Sequence, residues 1–79
     1  MKFLSQNKID KLKKLGDQYN CPIYLPPFLG RHNPFLDVSK ISHDAVKIMH
    51  LQELVEEAIG CDYEIHFVGK KRFMEITPK

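Results

Sequence analysis

The sequence predicts an α+β domain of order (β)αβαββ: two helices packed on one face of a three- or four-stranded mixed sheet that ends in a C-terminal β-hairpin. Three observations predict it. Two stretches repeat apolar residues at helical spacing, residues 63–79 alternate with the period of a strand, and 79 residues leave room for one domain spanning 1–79. At 43% hydrophobic and 28% charged, the chain has enough apolar material to fold.

Met1 to Leu4 is a short apolar start, read as an edge strand. From Ser5 to Tyr19, Ile9, Leu12, Leu15 and Tyr19 fall within about 120° on a helical wheel, one core-facing stripe. Ser5 or Asn7 can cap that helix, because either side-chain oxygen can accept an orphan backbone N–H. Gly16 is read as tolerated in the last turn, since Tyr19 continues the stripe. Pro22 bars further helix, and Cys21–Leu25 reads as a strand. Residues 26–34 carry three prolines and a glycine and are read as irregular, though Phe28, Leu29 and Phe35 make the region apolar for a loop.

The second helix is expected from Ser39 or Ser42 to Ile59, with Ile48, Leu51, Leu54, Val55, Ala58 and Ile59 as its stripe. Gly60 sits where a left-handed C-terminal cap belongs. Val46 and Met49 lie off the stripe, which suggests burial on two sides under the proline loop. Tyr63, Ile65 and Phe67 share one face of their strand, as Met74 and Ile76 do of theirs. Bringing those faces together excludes a three-residue loop. A two-residue loop sets Glu64 opposite Glu75. A four-residue loop, Gly69 to Arg72, pairs Phe67 with Met74, Ile65 with Ile76 and His66 with Glu75, and is preferred. A crossover through either helix is expected to be right-handed.

The net charge is only +2, but it is unevenly placed. Residues 1–20 carry five lysines against Asp10 and Asp17, residues 21–62 carry three basic against six acidic groups, and residues 63–79 carry four against two. Basic ends around an acidic middle suggest an anionic partner. No apolar run approaches the roughly 18 residues of a bilayer span, and lysines interrupt the start before a secretory h-region forms. With only Cys21 and Cys61, reduced thiols and a cytoplasmic setting are expected, a bridge between them requiring neighbouring strands.

Catalytic and metal chemistry find little support. His43, His50 and Glu57 recur every seven residues, about 10.5 Å along a helix, too far apart to share one ion. No Cys-x-x-Cys, His-Glu-x-x-His, nucleophile elbow, P-loop or dinucleotide fingerprint is present. The reading is therefore non-enzymatic, with no metal and no cofactor.

Two binding surfaces are expected. The first takes nucleic acid or a nucleoprotein: Lys11, Lys13 and Lys14 on the first helix and Lys70, Lys71 and Arg72 at the hairpin tip would contact phosphates. His66 and Phe73, on the helix-free sheet face, would add hydrogen bonding and base stacking. The second makes the protein a regulator or inhibitor that docks on a protein through Tyr24, Phe28, Leu29, Arg31, His32 and Phe35, aromatics around one arginine with prolines limiting the ordering cost. The exposed hairpin edge makes the chain a monomer or a weak dimer.

The element order is shared by several small RNA- and DNA-binding folds, a likeness of topology alone. From His50 to Pro78 the chain resembles the end of the small single-strand-binding domain named for its spaced arginine and histidine, in its helix, its glycine and a hairpin with an arginine before the last strand. That family's arginine, three residues, then histidine is absent, because Val46 stands four before His50. No residue role carries over.

Overall fold

The computed structural model describes residues 4–25 and 33–79. In chain order these form α1 (Gln6–Tyr19), β1 (Ile23–Tyr24), β2 (Phe35–Asp37), α2 (Ala45–Ile59), β3 (Tyr63–Val68) and β4 (Phe73–Pro78). Ser5 caps α1 as its sequence predicts, its hydroxyl accepting the N–H of Lys8 at 3.3 Å. Gly16 is tolerated inside the helix, and Asn20 closes it in the left-handed conformation. The glycine is required: a Cβ there would run into the backbone carbonyl of Cys21, where the chain folds back against the helix.

The strands form one four-stranded sheet of order β1-β2-β4-β3, antiparallel at every pairing rather than mixed. The reason is β2, three residues that follow directly on the irregular stretch 26–34 and that no sequence signal marks as a strand. It pairs with both β1 and β4, so the hairpin is inserted beside it. β2 and β3 therefore run the same way with β4 between them, and α2 is the crossover that joins them. The expected strand over Cys21–Leu25 is confined to Ile23–Tyr24. At the chain start, Met1 to Phe3 lie outside the described residues, and Leu4 packs against the core without joining a strand.

The hairpin has the four-residue loop and the predicted register: Phe67 faces Met74, Ile65 faces Ile76 and His66 faces Glu75. Both helices pack on one side of the sheet. There Leu12 of α1 and Leu51, Val55 and Ile59 of α2 bury fully against Leu36, Met74 and Ile76. The start of α1 lies against the end of α2, where the Lys8 ammonium donates to the Ile59 carbonyl at 2.9 Å and sits 5.3 Å from the Tyr63 ring centroid.

Three expectations for α2 need correction. It begins at Ala45, where Asp44 accepts the N–H of Lys47 at 3.1 Å; the preceding residues turn tightly through Val38, Ile41 and Asp44 instead of continuing the helix. Leu54 is 36% exposed, Met49 56% and Val46 64%, because among the described residues α2 is covered only by the sheet and α1. Gly60 has positive φ, but its ψ of −173° is extended rather than left-handed. The chain thus leaves the helix straight toward β3 through a conformation nearly restricted to glycine.

Candidate nucleic-acid interface

The hairpin tip is the most cationic turn of the fold. Gly69, Lys70 and Lys71 all have φ between 58° and 67°, and the Arg72 N–H closes the loop on the Gly69 carbonyl at 3.2 Å. Two consecutive lysines in the left-handed region cost roughly 1–2 kcal/mol each, which the flanking strand ladder holds in place. Lys70, Lys71 and Arg72 are all exposed. Phe73 follows at once, its ring against Gly69 closely enough that a Cβ there would meet it at 3.0 Å.

Phe73 belongs to the helix-free sheet face, as expected from the alternation of Met74 and Ile76. There the strand order builds an aromatic row that the sequence did not reveal. Phe73 and Phe35 meet edge to face with centroids 5.5 Å apart, and Tyr24 stacks on Phe35 at 5.2 Å and 22°. Tyr24 and Phe35 belong to the surface assigned to a protein partner, and Phe73 to the one assigned to nucleic acid; the fold merges them. The only available signal was that Tyr24 and Phe35 would each alternate away from Ile23 and Leu36. Phe35, 6% exposed, is the buried centre of the row, whereas Tyr24 and Phe73 are half-buried.

His66 lies on the same face, further from the tip, with Nε2 3.1 Å from a carboxylate oxygen of its neighbour Glu64. It is thus turned toward an acid rather than toward the cationic loop. Glu75 stands opposite it on β4. The face therefore grades from cationic at the tip to acidic at Glu64 and Glu75.

The α1 lysines do not join this surface. Lys11, Lys13 and Lys14 are exposed; Lys11 and Lys14 line a shallow groove with Leu54, Glu57 and Ala58 of α2. Lys71 lines a different one, with Met49, Gln52 and Phe67, and the two share no residue. Phe28, Leu29, Arg31 and His32 lie outside the described residues.

Both cysteines are free. Cys21 precedes β1 and Cys61 precedes β3, at opposite edges of the sheet, so the neighbouring strands a bridge requires are absent. Cys21 is fully buried and donates to the Tyr19 carbonyl at 3.4 Å; burial first, then the Asp37 carboxylate, push its thiol above the usual range. Among the described residues, no three His, Cys, Asp or Glu side chains gather where they could hold a metal ion, and no helix is long and apolar enough to cross a membrane.

Fold and surface together define a small antiparallel α+β domain with a cationic hairpin beside an aromatic sheet face. No family model matches the chain, and neither a curated protein nor a solved structure does.

Proposed function

We propose that the protein is a non-enzymatic binding module for nucleic acid, engaging single strands, free or displayed in a nucleoprotein, through its hairpin tip and the adjoining aromatic face. The observation that carries this reading is the junction at Gly69: three exposed cations lead directly into a half-buried phenylalanine whose ring packs against Gly69 at the base of the turn. Cations that track phosphates beside a ring that accepts a stacked base are the two components of single-strand recognition. A duplex hides the base faces that Phe73 and Tyr24 would contact. The acidic end at Glu64 and Glu75 repels backbone phosphates, so the strand is held at the tip. Lys11, Lys13 and Lys14 supply a separate, weaker electrostatic contact.

The alternative, a regulator or inhibitor docking on a protein through residues 26–35, is less well supported. Its proposed anchor Phe35 is already buried between Tyr24 and Phe73.

Titration of a labelled single strand and the matching duplex at two salt concentrations tests the reading. Three phosphate contacts on a single strand correspond to a log–log salt slope of about −2, with the duplex bound more weakly. Binding that is absent at low salt, indifferent to salt, or stronger for the duplex overturns it.

A further inference from the structure

The two edges of the sheet are built differently. β1 is two residues long and follows Pro22, features that blunt an edge. β3 is six residues long, has no proline or lysine, and pairs among the described residues only with β4. The phase of its ladder follows from two bonds. The Lys79 N–H donates to the Asp62 carbonyl at 3.0 Å, and the Ile76 N–H donates away from β3, to the Pro34 carbonyl at 2.9 Å. In an antiparallel pair hydrogen-bonded positions alternate, so Glu64, His66 and Val68 bond inward to β4. Tyr63, Ile65 and Phe67 turn their N–H and C=O groups outward along the edge.

We propose that this edge pairs with a second copy of itself, antiparallel, with Ile65 opposite Ile65 of the second copy. Side-chain charge selects that register from those the outward groups allow. Opposing Glu64 with its own copy sets two carboxylates face to face. Opposing His66 with its own copy leaves Glu64 facing Val68. The register centred on Ile65 pairs residues 63–67 throughout. It puts Tyr63 against Phe67 on the helix side and Glu64 against His66 on the other. Each imidazole, already 3.1 Å from its own Glu64, then faces Glu64 of the second copy as well, an alternating cluster of two acids and two histidines. On the helix side the added strand covers the groove above Phe67, whose α2 wall includes Ala45, Met49 and Gln52. Met49 is 56% exposed in the single chain. The product is one continuous sheet of eight strands, twice the four of each copy, with a cationic tip at either end.

The pairing does not depend on the nucleic-acid reading, and its test contains no nucleic acid. Sedimentation equilibrium should show a reversible monomer–dimer equilibrium. Amide exchange should be slowed at Tyr63, Ile65 and Phe67 in concentrated samples only, and at Glu64, His66 and Val68 at every concentration. His66→Glu should raise the dimer dissociation constant about tenfold, since two attractive pairs become repulsive. The swap Glu64→Lys with His66→Glu should restore it, which separates register from any effect on folding. A chain that is monomeric at all concentrations overturns the proposal, as do odd-residue amides that exchange alike in dilute and concentrated samples, or a dimer that His66→Glu leaves intact.

Discussion

The rings of Phe35 and Phe73 meet at 89° with centroids 5.5 Å apart, on the side of the sheet that the helices do not cover. With Tyr24 they form a second apolar layer, distinct from the cluster beneath α1 and α2, to which Phe35 does not belong. Phe35→Ala is expected to cost about 3 kcal/mol in urea unfolding. Phe73→Ala, at the half-exposed end of the row, should cost about half as much and weaken single-strand binding.

Behind α1 the backbone of Cys21 lies directly against Gly16. Alanine favours a helix over glycine by about 1 kcal/mol, yet a methyl group here collides with the Cys21 carbonyl. Gly16→Ala should therefore be net destabilising by about 2 kcal/mol, lowering the thermal midpoint.

Lys8 is a structural cation within a basic helix. Its bond to the Ile59 carbonyl and its position over Tyr63 join the start of α1 to the end of α2. Lys8→Met should lose about 1–2 kcal/mol of stability and leave the salt slope of nucleic-acid binding unchanged. Lys71→Gln should do the reverse.

Cys21 predicts a pH dependence. Its thiol is raised from an ordinary value of 9.0 by burial and by Asp37, with Lys40 opposing. Above that value the unfolded chain releases a proton that the folded protein retains, so unfolding is favoured. The thiol's contribution is complete below about pH 9 and is lost as pH rises through its higher folded value. Urea midpoints measured across that range should fall more steeply for the wild type than for Cys21→Ala.

The hairpin was legible in the sequence because two strand faces had to coincide, which left loops of two or four residues, and cross-strand charge then selected the loop of Gly69 to Arg72. The α1 start was legible to within two residues because the capping candidates Ser5 and Asn7 stand four and two residues before Ile9, where the apolar stripe begins. β2 was not, since three residues after a run of prolines form a strand only by pairing on both sides, a tertiary effect. For the same reason the cationic tip and Phe73 could be read directly, whereas their neighbours Tyr24 and Phe35 could not. Their convergence follows from the order β1-β2-β4. The exposure of Leu54, Met49 and Val46 was hidden because an apolar stripe shows which side of a helix can be buried, not how much of it the rest of the fold covers.

Chemical-shift mapping with a short single-stranded oligonucleotide at low salt tests the central claim most directly. The account predicts perturbations concentrated at Val68 to Phe73 and at the Tyr24 ring, fading as salt is added. Perturbations confined to Lys11, Lys13 and Lys14 on α1, or none at saturating oligonucleotide, would contradict it.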